Sequence, residues 1–171
     1  MDIKVVELDD KPTRVEFQLT QKDFNRLGND LTFEQMSCQA EISRKGETFY
    51  LVGKYIVDIQ ATCDVCLQPV SIHLDNDFDL NLFAAEDRIE PESDSEISVR
   101  EPNIDYYEGQ DLHLSQYFED QLLLDMPISI RCQEECQGIC PTCGINKNTE
   151  NCQCADESVS SPFAVLKDLK L

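Results

Sequence analysis

Val70-Ser71-Ile72-His73-Leu74-Asp75-Asn76-Asp77-Phe78-Asp79-Leu80-Asn81-Leu82 is the stretch that decides the fold. Val70, Ile72, Leu74, Phe78, Leu80 and Leu82 share one phase of a two-residue repeat, and Ser71, His73, Asp75, Asp77, Asp79 and Asn81 share the other. Successive side chains of a strand point to opposite faces, so this segment reads as a half-buried strand with an acidic face in water. The same alternation lies upstream in Cys38, Ala40 and Ile42, and it resumes after a Lys45-Gly46 turn in Phe49, Leu51, Tyr55, Val57 and Ile59. That pattern predicts a hairpin of long strands. Val15, Phe17 and Leu19 predict another strand, followed by a short helix that Thr20 caps and Gly28 ends.

Downstream the pattern changes. From Ala85 to Asn103 the chain loses its period and fills with Glu, Asp and Ser around Pro91 and Pro102, which predicts a mobile acidic loop. Leu114, Tyr117, Phe118, Gln121, Leu122 and Asp125 follow helical spacing until Pro127 stops the helix. Ser161-Pro162 is a cap and first-turn pair, and Phe163, Val165, Leu166 and Leu169 predict a short C-terminal helix.

Nine cysteines stand in this chain, eight of them in four close groups: Cys63/Cys66, Cys132/Cys136, Cys140/Cys143 and Cys152/Cys154. A short spacer lets two thiolates face one point, and a structural zinc ion takes four such ligands in a tetrahedron. One such pair is weak evidence, because redox sites share it; four in one chain predict two structural zinc ions. Disulfides and iron–sulfur clusters are the less favoured readings of the same residues. The favoured pairing joins Cys63 and Cys66 to Cys132 and Cys136, and leaves Cys140, Cys143, Cys152 and Cys154 as a local knuckle. The other pairing joins Cys63 and Cys66 to Cys140 and Cys143, with Cys132, Cys136, Cys152 and Cys154 as the second set. Cys38 falls on the apolar phase of its strand and belongs to the core.

A catalytic zinc keeps an open position, which eight paired thiolates do not leave, so no catalytic residue is expected. His73, on the polar face of a strand, and His113, just before a helix, read as surface or capping residues. The resulting class is α+β, with an antiparallel β-sheet core, a few short helices and a C-terminal cysteine-rich zinc knuckle. Residues 1–130 are expected to form a mainly antiparallel β domain with the acidic loop at about 85–103. Residues 131–171 are expected to hold the knuckle and the last helix, tied to the first part by a shared metal site.

Thirty-four acidic side chains against fourteen basic ones give a formal charge of −20. Over half of that excess lies between Asp75 and Asp111, where thirteen acids meet only Arg88 and Arg100. Such a surface repels phosphate backbones, so a basic protein is the first expected partner and nucleic acid the second. No apolar run has the length of a signal peptide or a membrane span, so a cytoplasmic location and no membrane partner are expected. No small-molecule substrate is expected either.

Cys63-Asp64-Val65-Cys66-Leu67 with Pro69, then Leu122 to Pro127, then Cys136-Gln137-Gly138-Ile139-Cys140-Pro141-Thr142-Cys143-Gly144, Cys152-Gln153-Cys154 and Pro162-Phe163-Ala164-Val165-Leu166 occur in one order. In that order they resemble the YceD-like large ribosomal RNA subunit accumulation proteins, from about residue 50 to the C terminus. The first 40 residues resemble nothing specific, and Val65 departs from the arginine that many members carry there. Some members keep the first pair, with histidine or cysteine near positions 132 and 136, and lack the Cys140–Cys154 group, which agrees with the favoured pairing. The resemblance implies a non-enzymatic factor for 23S rRNA accumulation and large-subunit assembly, with a basic large-subunit protein or assembly factor as partner. A direct rRNA-binding zinc module is the second reading. A redox or metal-dependent enzyme comes last.

Overall fold

Alternation becomes pairing in the computed structural model, which describes residues 2–28, 30–87 and 103–154. Its strands are β1 (Asp2–Lys4), β2 (Thr13–Leu19), β3 (Met36–Lys45), β4 (Thr48–Thr62), β5 (Pro69–Ala84), β6 (Ile104–Tyr107) and β7 (Asp111–His113), followed by helix α1 (Leu114–Asp125). β2, β3, β4, β5 and β6 lie side by side in that order as one sheet, and β1 pairs with β7 in a separate ribbon. The first three contacts of the sheet are antiparallel, as the alternation predicts. Gly46, at φ +66°, makes the tight turn between β3 and β4.

The mainly antiparallel sheet has one parallel edge. β6 runs parallel to β5, with Asn81 opposite Ile104 and Ala84 opposite Tyr107. A parallel partner needs a crossover of about a dozen residues or more, and the stretch between β5 and β6 is long enough to provide it. The acidic loop expected there is described only at its ends, in the single turn Ala85–Asp87 and at Asn103; residues 88–102 lie outside the described part. The C-terminal helix expected after Ser161 lies outside it too.

The core forms where the apolar phases of β3, β4 and β5 meet α1. Cys38, Ala40, Ile42, Phe49, Leu51, Tyr55, Val57, Ile59, Leu80 and Leu82 are buried from the sheet, with Leu114, Tyr117, Phe118 and Leu122 from the helix. Phe118 is fully buried and meets Phe17, Tyr55 and Phe78 edge to face at ring distances of 5.2, 6.5 and 5.0 Å. One helical side chain thereby holds β2, β4 and β5 together. Gly53 opposes Phe78 across the sheet, and a Cβ there would lie 2.2 Å from the Phe78 ring. The missing side chain is what leaves room for that ring over the strand. Cys38 is buried as expected, and burial pushes its thiol up to about 12.

The helix expected from Thr20 to Gly28 shrinks to one turn, Gln21–Asp23. The Asp23 carboxylate accepts from the Thr20 N–H at 2.7 Å and from its hydroxyl at 2.8 Å, so the predicted start is present. A competing acceptor ends the turn: the backbone N–H groups of Asn25 and Arg26 donate to the buried carboxylate of Glu119 on α1. The Arg26 guanidinium lies 3.7 Å from the same carboxylate and pairs with Asp120. A buried carboxylate with two N–H donors and a cation nearby is satisfied, and it fixes the β2–β3 connection onto the helix. At the other end Met126 is already extended, as the residue before Pro127 should be. Among the described residues no helix is long and apolar enough to cross a membrane.

Candidate metal centres

Thr62 pairs with Pro69, so Cys63–Gln68 is the loop that joins β4 to β5. Within it the Cys63 N–H donates to the Gln68 carbonyl at 2.8 Å and the Leu67 N–H to the Cys63 carbonyl at 2.9 Å. Leu67 takes φ +60°, a left-handed conformation uncommon outside glycine. The turn leaves Cys63 and Cys66 buried.

The other two cysteines of this group arrive from the far side of α1. The Asp64 N–H donates to the Ile130 carbonyl at 2.8 Å, and the Asp64 carboxylate accepts the Ile130 N–H at 2.7 Å. This two-point clasp carries the chain past the loop, so that the sulfurs of Cys63 and Cys136 stand 3.9 Å apart and those of Cys66 and Cys132 3.5 Å. Gly138, at φ +71°, packs its backbone on Val65; a Cβ there would meet Val65 Cγ1 at 2.9 Å and the Val65 carbonyl oxygen at 3.0 Å.

Cys140, Cys143, Cys152 and Cys154 form the second group. The Cys140 N–H donates to the Ile145 carbonyl and the Gly144 N–H to the Cys140 carbonyl, both at 2.8 Å, with Gly144 at φ +75°. Cys152 Sγ stands 3.3 Å from Cys140 Sγ and 3.8 Å from Cys143 Sγ. In each group the four sulfurs lie within 4.8 Å of one another, and each group could hold a metal ion. A tetrahedron with thiolates about 2.3 Å from zinc places its sulfurs roughly 3.8 Å apart, close to these spacings. A disulfide needs about 2.05 Å, and these four sulfur pairs are well beyond it.

The surrounding backbone favours negative sulfur. Burial opposes ionisation of Cys63, yet N–H groups of Cys66, Val65 and Cys132 hold its thiol down at about 6. The N–H groups of Cys143 and Thr142 hold Cys140 down to about 6 as well. Cys132 is pushed up to about 12, first by the Cys66 sulfur and then by burial, and Cys154 reaches about 12 chiefly through the sulfurs of Cys143 and Cys152. Four sulfurs crowded together cannot all ionise unaided. A divalent cation among them removes that obstacle.

Of the two pairings the sequence left open, the sulfurs therefore gather in the set Cys63/Cys66/Cys132/Cys136 and the local set Cys140–Cys154. His73 and His113 join neither set: His73 Nδ1 lies 2.7 Å from Asp58 and His113 Nδ1 lies 2.9 Å from Asp2, both at the surface. Sequence reasoning missed Asp64 as a clasp, and it missed Asn146 and Asn148. The Asn148 side chain reaches from the second group to Cys136 Sγ at 3.3 Å. The only sequence signal for that pair was an Asn-x-Asn spacing inside the cysteine-rich segment.

A family model described as large ribosomal RNA subunit accumulation protein YceD matches residues 51–170. The chain is also similar to the large ribosomal RNA subunit accumulation protein YCED homolog 1, chloroplastic, of Arabidopsis thaliana, at 29% identity over 63 residues. That stretch covers 37% of this chain and 20% of the plant protein's length. No solved structure matches the chain. Because the family match spans well over half of the 171 residues and takes in both cysteine groups, the chain belongs to the YceD family of large ribosomal RNA subunit accumulation proteins.

Proposed function

We propose that the chain is a non-enzymatic, cytoplasmic zinc-binding factor that supports 23S rRNA accumulation and assembly of the large ribosomal subunit. The observation that carries this reading is the family match, whose span contains all eight paired cysteines. In this reading Cys63, Cys66, Cys132 and Cys136 hold one zinc ion, and Cys140, Cys143, Cys152 and Cys154 hold the other. All-thiolate sets with CxxC spacing favour zinc over hard cations, which take oxygen ligands. Both ions are structural. Residues 131–171 then form a zinc-dependent knuckle and helix, joined to the β-sheet part by the shared first site.

The partner is a basic large-subunit protein or assembly factor. The solvent face of β5 presents Asp75, Asp77 and Asp79, with Lys54 paired to Asp75 at 2.9 Å as partial compensation. That charge attracts basic proteins and repels phosphates. Direct rRNA binding is the second reading, favoured by the knuckle-like spacing. Against it, residues 131–154 hold only Arg131 and Lys147 beside Glu134, Glu135 and Glu150.

Depletion of the protein, followed by the ratio of 23S to 16S rRNA and the profile of large subunits, tests the function. A loss of 23S rRNA restored by the wild-type chain and not by Cys63→Ser/Cys132→Ser supports it; unchanged 23S rRNA overturns it. Tagged protein captured with and without ribonuclease separates the two modes. Partners that survive ribonuclease support protein contacts, and rRNA binding that weakens steeply with salt supports the alternative.

A further inference from the structure

We infer that Asn148 couples the two cysteine centres: held in the loop between Cys143 and Cys152, it orients Cys136 of the other centre. The Cys63/Cys66/Cys132/Cys136 site thus reaches its full metal affinity only when the Cys140–Cys154 loop is folded. This rests on the reading of both groups as metal sites.

The orientation of the Asn148 amide follows from its neighbours. Its Oδ1 accepts the backbone N–H of Gln137 at 2.8 Å, and a backbone N–H can only donate, so the oxygen end is assigned. The Gln133 side-chain amide donates to the same oxygen at 3.1 Å. The amide nitrogen therefore faces Cys136 Sγ, at 3.3 Å. Asn146 is assigned in the same way, because its Oδ1 accepts the Asn148 backbone N–H at 2.9 Å and also the Asn148 side-chain nitrogen at 2.9 Å. A relay runs from Asn146 through Asn148 to a sulfur of the long-range centre.

Both asparagines owe their position to the local knuckle. Lys147 N–H donates to the Gly138 carbonyl at 2.9 Å, Cys140 N–H to Ile145 at 2.8 Å, and Ile139 bridges to Asn146. These links close the loop that the second centre holds between Cys143 and Cys152. A metal ligand is held and tuned by the groups that hydrogen-bond to it, and loss of such a partner costs about 10–100-fold in metal affinity. Here the partner of one centre is supplied by the other. Metal at the local centre orders the donor, and the donor then favours thiolate at Cys136.

Full-length protein loaded with zinc and challenged with a chromogenic chelator tests the coupling. Wild type should deliver two zinc ions per chain. Asn148→Ala should still hold two but surrender one of them about 10–100-fold faster. Asn148→Asp keeps an acceptor for Gln137 and turns a carboxylate oxygen toward Cys136, so its effect should be larger, whereas a change at exposed Glu150→Gln should match wild type. In a Cys63→Ser/Cys66→Ser background, where only the local centre remains, Asn148→Ala should leave release unchanged. Cys152→Ser should hold one zinc and lose it as quickly as the labile ion of Asn148→Ala. In cadmium-113 spectra of loaded protein, Asn148→Asp should move one of two thiolate resonances. Wild-type release rates in both Asn148 variants, or slow release of the remaining zinc in Cys152→Ser, would show independent centres and overturn the coupling. Fewer than two zinc ions in wild type would overturn the metal reading beneath it as well.

Discussion

Replacing Gly138 with alanine isolates the packing that closes the long-range centre, and Gly144 is its internal control. Both glycines are left-handed, at φ +71° and +75°. A non-glycine residue there costs about 1–2 kcal/mol from backbone sterics alone. At Gly144 a new Cβ meets nothing within 4 Å, so Gly144→Ala should show that cost and no more. At Gly138 the Cβ lands 2.9 Å from Val65 Cγ1 and 3.0 Å from its carbonyl oxygen. Crowding of that kind adds about 1–3 kcal/mol, giving a total of about 2–5 kcal/mol. At about 1.4 kcal/mol per decade, Gly144→Ala should weaken zinc binding about 5–30-fold and Gly138→Ala about 30-fold to several thousandfold. Equilibrium competition against a graded set of chelators reads both. Val65→Ala added to Gly138→Ala removes the Cγ1 contact and leaves the carbonyl, so it should recover part of the difference. If Gly138→Ala binds zinc as well as Gly144→Ala, or if Val65→Ala recovers nothing, the packing of the CxxC turn on Gly138 does not close this centre.

Other perturbations separate the core from the centres. Phe118→Ala empties the site where three aromatic rings converge and should destabilise the zinc-loaded protein by about 3–5 kcal/mol in urea unfolding, with an unchanged slope. Glu119→Ala strands the N–H groups of Asn25 and Arg26 and should cost about 2–4 kcal/mol in the same assay, while Glu119→Gln keeps an acceptor and should cost less. Cys38, whose thiol burial raises to about 12, stays protonated at mildly alkaline pH. Peptide mapping after chelation should therefore find it unalkylated under native conditions while Cys63 and Cys140, whose thiols lie at about 6, react. Cys132 and Cys154 also enter the metal-free protein protonated near neutral pH, since their thiols lie at about 12. Zinc uptake should release protons and strengthen as pH rises, and calorimetric heats that do not vary with the buffer's ionisation enthalpy would contradict that.

The parts of this fold that were legible in the sequence are those where period and burial coincide. Phe49, Leu51, Tyr55, Val57 and Ile59 alternate because each faces the core, and every one of them is buried. Leu114, Tyr117, Phe118 and Leu122 mark the helix for the same reason. Glu119 carried no such signal, since a buried carboxylate looks like a surface one until its N–H donors are located. Those donors also explain why the turn after Thr20 stops early: a tertiary acceptor outcompetes the helix. β1, β6 and β7 are three or four residues long, too short to display a period, and the parallel pairing of β6 depends on a distant crossover. The eight cysteines were legible from spacing, but their grouping depends on the Asp64–Ile130 clasp and on how α1 returns the chain to the β4–β5 loop.

Metal content per chain is the most direct test of the central claim. Protein expressed in unsupplemented medium, purified without chelator or added metal and examined by native mass spectrometry, should carry two zinc ions. Removing Cys63 and Cys66 should leave one. Metal-free protein in which residues 131–154 stay folded, or iron in place of zinc, would contradict the account.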